Sequence, residues 1–234
     1  MSFIEYAILI GAVMLVAVMF LYGKSLSSSN TKLLNAFSAA FLIGICFTEL
    51  LPESYGLNHT QTGIFVLIGF LLQLILGVFS EGIEHGHAHP HKHGIPYGVL
   101  FSLGAHAFIE GMPLNSHTHE HLENLHHALM TGILIHNVPI TIVLATMLLH
   151  SGISKGKILL ILFLFSLLSP LGATVANYFV ITEQFIAIPL ALVAGILLHI
   201  STTILFEAAD SHKFNLIKML VIVLGLAGAL LAHH

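Results

Sequence analysis

Two ionisable residues lie inside an apolar stretch of the chain, where a membrane segment tolerates them least. His106 and Glu110 fall within residues 97–114 at a spacing of four, so a helix would project both side chains from one face. A third ionisable residue, His136, lies inside the next apolar stretch, residues 125–150. Because ionisable groups are costly in a bilayer and normally face a polar interior, we interpret the three residues as a functional site.

The chemistry that suits these side chains is the binding of a divalent metal ion. Two imidazoles and one carboxylate from neighbouring helices form a reasonable ligand set. Pro139 follows His136 closely and removes a backbone donor, which frees the carbonyl of Ile135 to serve a metal or its water. The alternative is a buried His–Glu pair that only fixes helix packing. The third polar residue, on the facing helix, makes us favour the metal site.

The composition identifies the elements that must position these residues. The chain has 234 residues, of which 56% are hydrophobic and only 8% are charged, with a mean hydropathy of +0.96. A soluble protein is about one-quarter charged. Long apolar runs without alternation exclude barrel strands and predict membrane helices. Cys46 is the one cysteine, which excludes a disulfide within the chain and argues against thiolate metal chemistry.

We therefore expect an all-α, polytopic membrane helix bundle, with residues 1–234 forming a single transmembrane domain. Met1–Gly23 has no basic leader region and contains Glu5, so we interpret it as a retained helix. Eight segments have roughly the 20 residues that a transmembrane helix requires. They lie near residues 3–23, 34–54, 62–83, 97–114, 125–149, 157–180, 185–207 and 214–232.

The distribution of lysine predicts the orientation of this bundle. All seven basic residues are lysines, and with eight spans all of them lie in or beside odd-numbered loops: Lys24, Lys32, Lys92, Lys155, Lys157, Lys213 and Lys218. The positive-inside rule then places these loops in the cytoplasm and both termini outside. We expect a multi-pass protein of the plasma (inner) membrane.

Two further groups of polar residues mark a route across the membrane. Glu49 and Glu53 share a face near the outer end of the second helix, where they would either attract cations or simply cap the span. His199, Thr203 and Glu207 recur every four residues along the seventh helix. They form either a pathway toward the cytoplasm or polar contacts between helices. In the sixth helix, Ser169-Pro170 predicts a kink.

Two loops are rich in histidine. The cytoplasmic loop, residues 85–96, alternates histidine with small residues, and the extracytoplasmic loop, residues 115–127, adds carboxylates. Such tracts bind borderline divalent metals, although imidazole could also sense pH. The candidates for metal capture are His85, His87, His89, His91 and His93 inside, and His117, His119, His121, His126 and His127 outside.

With these motifs in this order, the chain resembles the ZIP (Zrt/Irt-like protein) family of divalent metal transporters over essentially its whole length. The family's fourth span reads His-Asn-x-x-Glu-Gly, similar to residues 106–111 (HAFIEG). Its fifth span reads His-Glu-x-Pro-His or a close variant, similar to residues 136–140 (HNVPI). Residues 50–53 (LLPE) match the end of the second span, with Glu49 where many members have histidine.

The resemblance implies a divergent member with one intact metal site. Family members often hold two adjacent ions, and the first site keeps His106, Glu110 and His136. The second site would use, position by position, Ala107, Asn137, Ile140 and Ser169. Alanine and isoleucine cannot ligate, asparagine is a weak neutral ligand, and serine replaces what is often a carboxylate. The implied substrate is Zn²⁺ or another divalent transition metal.

Our leading hypothesis is gradient-driven or passive movement of a divalent metal, zinc first, toward the cytoplasm. The chain has no phosphate-binding loop that would indicate ATP coupling. One alternative is a non-transporting metal sensor or partner membrane protein. Another, an intramembrane metalloenzyme, lacks His-Glu-x-x-His and an obvious general base. We expect a non-enzyme whose partners are the metal ion and the lipid bilayer, with no nucleic acid, and a homodimer is left open.

Overall fold

The computed structural model describes residues 1–23, 27–58, 60–80, 95–114, 123–179, 183–208 and 216–232. Every regular element within these ranges is helical, which confirms the all-α prediction. The elements are α1 (Phe3–Tyr22), α2 (Ser28–Ile45), a π-helical turn (Cys46–Leu50), α3 (Leu51–Leu57), α4 (Thr62–Ser80), α5 (Tyr97–Gly111), α6 (Glu123–His150), α7 (Lys155–Ser166), α8 (Leu168–Phe179), α9 (Glu183–Ala208) and α10 (Leu216–Ala232).

The helices coincide with the eight predicted segments. α2, the π-helical turn and α3 run on as one body, and α7 and α8 follow one another with a break at Leu167. Six bodies in the described part of the chain are long and apolar enough to cross a membrane. α5, with 15 residues, and α10, with 17, fall short of the roughly 20 that a span requires. The span count and the sides of the termini stay predictions.

Two prolines explain the irregularities in these helices. Pro52 has no N–H to donate to the carbonyl one turn earlier, and the backbone before it widens into the π-helical turn, in which the Leu51 N–H bonds to the Cys46 carbonyl. Pro170 likewise has no N–H to donate to the carbonyl one turn earlier, and the helix is interrupted at Leu167, where the backbone N–H bonds to the Leu164 carbonyl. The interruption lies close to Ser169-Pro170, and the predicted kink itself stays a prediction.

The interior of the bundle consists mainly of α2, α6 and α9, which are largely buried, whereas α1 and α4 are mostly exposed. The exposed faces carry large apolar side chains, among them Leu67 and Val78 on α4, and Leu220 and Leu230 on α10. A continuous apolar exterior is what a lipid environment requires. The protein is thus an integral, multi-pass membrane protein.

Small residues bring the ligand-bearing helix α5 close to α8. At Gly111 a Cβ atom would collide with the Ser169 carbonyl, and at Gly172 it would collide with the Phe108 carbonyl. Such glycines allow two membrane helices to pack backbone against backbone. Their close contact fixes the position of α5, and with it the position of the site.

Candidate metal centre

The structure brings His106, Glu110 and His136 together in the protein interior. All three are buried, with exposed fractions of 1%, 0% and 1%. Within α5, the Nε2 atom of His106 lies 3.4 Å from Oε2 of Glu110, as the i, i+4 spacing predicts. The rings of His106 and His136 meet edge to face across α5 and α6, with centroids 5.8 Å apart and an interplanar angle of 81°. We call these three residues the His–Glu cluster.

The atoms that would bind an ion have few other partners. Beyond the contact with His106, the carboxylate oxygens of Glu110 make no hydrogen bond to any described residue. The same is true of Nε2 of His136, within the part of the chain that the structure describes. The other ring nitrogen of His136, Nδ1, lies 3.2 Å from the Ser38 hydroxyl on α2. An imidazole tethered through one nitrogen leaves the second available as a ligand.

The cluster is not a closed ligand set as it stands. Among the described residues, no group of three or more His, Cys, Asp or Glu side chains is arranged to hold a metal ion. The two imidazole rings instead pack edge to face. The donor types fit zinc, and side-chain rotation would be needed to complete the geometry.

The positions of the second family site are filled differently. Ala107 and Ile140 belong to one buried apolar cluster that also contains Leu103 and Val143. Asn137 is buried, and its backbone carbonyl accepts a hydrogen bond of 2.6 Å from the Thr141 hydroxyl. The positions of the second family site on α5 and α6 are therefore mainly apolar.

Ser169 is buried on α8, where its backbone carbonyl lies against Gly111 of α5. The residue thus lies beside the glycine that follows Glu110 in the chain. No ligand role for its side chain is tested by this arrangement, and the role stays a prediction.

The predicted outer carboxylates lie on the irregular part of the second helical body. Glu49 is buried within the π-helical turn, and Glu53 is half-buried in the first turn of α3. Cys46, at the start of the π-helical turn, is close enough to Glu110 to interact with it electrostatically. The turn that carries Glu49 therefore lies near the His–Glu cluster. The sequence does not predict the π-helical turn, although Pro52 is a signal of an irregular helix.

The polar stripe on α9 is only partly described. His199 is buried, and its ring packs edge to face on Phe70 of α4 at a centroid distance of 4.8 Å. The Thr203 hydroxyl donates to the His199 carbonyl over 2.8 Å. The backbone of Glu207 belongs to α9, but its side chain lies outside the described residues. A role for these residues in ion passage stays a prediction.

Most of the loop histidines lie outside the described residues: His85, His87, His89, His91 and His93, and His117, His119 and His121. The other two differ from expectation because α6 begins at Glu123, so His126 and His127 are helical. His126 is fully buried, and Nδ1 contacts the Leu114 carbonyl at 2.8 Å while Nε2 contacts Glu5 at 3.0 Å. Its ring joins α6 to α1 and is committed to these contacts. His127 is exposed and packs on it.

A comparison with known protein families identifies the family to which this helix bundle belongs. The family model described as ZIP zinc transporter matches residues 95–232, which is more than half of the chain. The chain belongs to the ZIP zinc transporter family. The matched region runs from the start of α5 to the end of α10 and includes the whole His–Glu cluster. No curated protein matches the chain in a sequence search.

Membership of the ZIP family confirms the resemblance found in the motifs. It supports a transporter of divalent metal ions, with the ion as substrate and a membrane-embedded bundle as its route. A transporter family also fits the expectation that the protein is not an enzyme.

Proposed function

We propose that this ZIP-family protein moves a divalent metal ion, zinc first, toward the cytoplasm through the His–Glu cluster. The observation that carries the proposal is the Glu110 carboxylate, which is fully buried and makes no hydrogen bond or ion pair to a described residue other than His106. A buried carboxylate is costly unless a cation or several donors compensate it. A passing cation would supply that compensation.

The donor types support zinc as the first substrate. Imidazole nitrogen and carboxylate oxygen suit borderline transition metals, whereas Mg²⁺ and Ca²⁺ prefer oxygen ligands throughout. One carboxylate neutralises half of the charge of a divalent ion. Conduction requires binding that is strong enough to admit the ion and weak enough to release it, and a singly charged ligand set meets that requirement.

The proposed route runs from the side of the even-numbered loops to the side that carries the lysines. Glu49 and Glu53 would gather the ion, together with the outer histidines. The His–Glu cluster would bind it at mid-membrane, and the α9 stripe and the histidines of residues 85–93 would receive it. A plasma-membrane location and assembly as a homodimer are further parts of this proposal.

The experiment is zinc uptake into liposomes by the Glu110→Gln variant. The amide keeps the shape of the side chain and removes its charge, so the buried ion loses its only anionic ligand. Loss of one partner of a buried charge pair costs about 3 kcal/mol, or roughly a 100-fold fall in uptake. Glu53→Gln is the graded control, because its half-buried carboxylate would mainly affect the zinc concentration needed for half-maximal uptake.

Both variants are compared with the parent at equal amounts of monodisperse, reconstituted protein. Uptake by Glu110→Gln equal to that of the parent would overturn the transport route proposed here.

A second candidate function is metal sensing or a partner role without transport. Two observations favour it: the described residues form no closed metal-ligand set, and Ala107 and Ile140 make the second position apolar. In that case the parent protein would bind zinc in detergent, with loss of binding in Glu110→Gln, but would show no uptake above empty liposomes.

A further inference from the structure

A small cavity lies next to the His–Glu cluster, between α2, α6 and α9. It measures about 10 Å³, roughly the room that one water-sized particle needs. Three of its lining residues are polar: Asn35, Ser38 and His136. The rest of the lining is apolar and comprises Pro139, Ile140, Val143 and Ile204. We call this space the Asn35 cavity.

The polar lining of the Asn35 cavity is incompletely satisfied. Asn35 is only 7% exposed, and its Oδ1 atom has no hydrogen-bond partner among the residues described. Leaving such a buried acceptor unpaired costs about 1–3 kcal/mol. Ser38, fully buried one helical turn away, bonds with its hydroxyl to Nδ1 of His136. Three residues that carry an amide oxygen, a hydroxyl and an imidazole nitrogen therefore line one small space, and all three groups are ligand types for a divalent ion.

The lining residues on α2, α6 and α9 all place the cavity toward the same end of the bundle. On α2, Asn35 lies nearer than Ser38 to the end that begins at Ser28. On α6, Pro139, Ile140 and Val143 follow His136 toward the end at His150. On α9, Ile204 lies close to the end at Ala208. In the sequence these ends lie near Lys24, Lys155 and Lys213, so the cavity is displaced from His136 toward the proposed cytoplasmic side.

We propose that the Asn35 cavity is a second station for the transported ion, on the cytoplasmic side of the His–Glu cluster. This proposal rests on the proposed function, because it assumes that an ion reaches the cluster. In the cavity, a divalent cation is held by Oδ1 of Asn35, the hydroxyl of Ser38 and Nδ1 of His136. All three donors are neutral, so the ion is held more weakly than beside Glu110, which favours onward release.

The two stations share His136 and are therefore occupied in turn. A neutral imidazole carries its proton on one nitrogen and has a lone pair on the other, so only one ring nitrogen ligates at a time. An ion in the cluster uses Nε2, and an ion in the cavity uses Nδ1 after the ring proton has exchanged with water. His136 thus links the two stations, and one chain holds one ion between them.

The test is zinc uptake and zinc binding by full-length variants of Asn35. Asn35→Asp adds a charged ligand of the same size, so we expect the half-saturating zinc concentration and the maximal uptake rate both to fall, by roughly tenfold. Asn35→Leu removes the donor, so maximal uptake should fall several-fold while equilibrium zinc binding at the cluster is kept. Asn30→Asp, an exposed position on the same helix, is the matched control and should behave like the parent.

The outcomes separate this inference from the proposed function. A lower half-saturating concentration in Asn35→Asp supports the station, since a purely structural role for Asn35 would not tighten zinc binding. Parent-like uptake and binding in both Asn35 variants would overturn it and leave the cavity to water, even where Glu110→Gln has abolished uptake. Asn35→Asp remains decisive if Asn35→Leu fails to fold, because it preserves the size of the side chain.

Discussion

Two sets of positions on the α5–α6 helix pair, which we call its polar side and its apolar side, differ in chemistry, although their residues are neighbours in the chain and His136 and Ile140 line one cavity. His106 and Glu110 line one side with His136, whereas Ala107 and Ile140 belong to a buried apolar cluster. A polar side that keeps one carboxylate can neutralise half of a divalent charge, and the apolar side can neutralise none. On the ground of this difference we propose a site for one ion at a time.

We propose that α2 supplies neutral donors that the apolar side lacks. The apolar side offers no ligand at Ala107 or Ile140, but α2 brings Ser38 to His136 and Asn35 to the adjacent cavity. Neutral donors on α2 would then do part of what a second charged site does in relatives with two ions. An ion held by neutral donors leaves more readily than one held by carboxylates.

The largest effect is expected when metal ligands are added at two positions of the apolar side. The double variant Ala107→Asn, Ile140→His places two donors where the apolar cluster now lies. We expect zinc binding to rise from one ion to two per chain, with affinity increased by roughly 100-fold and uptake slowed because the ion is released late. Binding is measured by metal content after dialysis against graded zinc buffers.

Ala107→Ser, Ile140→Val is the matched control, since it changes the same positions without adding a strong ligand. If the variant Ala107→Asn, Ile140→His still binds one zinc ion per chain, then added ligands alone do not create a second metal site on the apolar side.

A smaller effect concerns the packing that holds the ligand-bearing side in place. Gly172→Ala would push a Cβ atom into the Phe108 carbonyl, so α8 and α5 must separate, at a cost of about 1–3 kcal/mol. Gly77→Ala on α4 meets open space and should instead stabilise its helix by up to about 1 kcal/mol. The two variants are compared by the fraction that remains monodisperse in detergent after heating. Equal losses in both would contradict the close packing of α5 and α8.

The smallest effect is expected from the cytoplasmic loop. Deletion of residues 85–93 removes five histidines but no residue of either side of the α5–α6 pair. A loop outside the span cannot form the barrier-crossing site, so uptake should stay within about twofold of the parent while its inhibition by internal zinc changes. Uptake into liposomes preloaded with different zinc concentrations measures both quantities. Complete loss of uptake would move the essential site from the bundle to the loop.

The sequence predicts the helices well because their apolar runs are long and the charges that interrupt them are few. It also predicts the pairing of His106 with Glu110 and the approach of His136, since the i, i+4 spacing and the short connection between the two helices leave little freedom. Pro170 predicts an interruption of its helix, and the structure has one at Leu167.

What the sequence hides depends on contacts between distant segments. Asn35 and Ser38 follow the polar first turns of α2 and lie among apolar residues, and only the packing against α6 gives them a role. His126 looks like a loop histidine in a histidine-rich tract, and its contact with Glu5 joins residues 121 positions apart in the chain. The π-helical turn arises from Pro52, which by itself does not distinguish a kink from a wider turn.

The central claim is that the transmembrane region holds one ion on His106, Glu110 and His136. Anomalous density at the zinc edge, from crystals of the full chain grown with zinc, tests it most directly. We expect one ion per chain bounded by these three side chains, with any density in the Asn35 cavity present only at the expense of the first peak. Two full peaks within about 4 Å of each other, as in a paired-metal site, or a sole peak away from both stations, would contradict it.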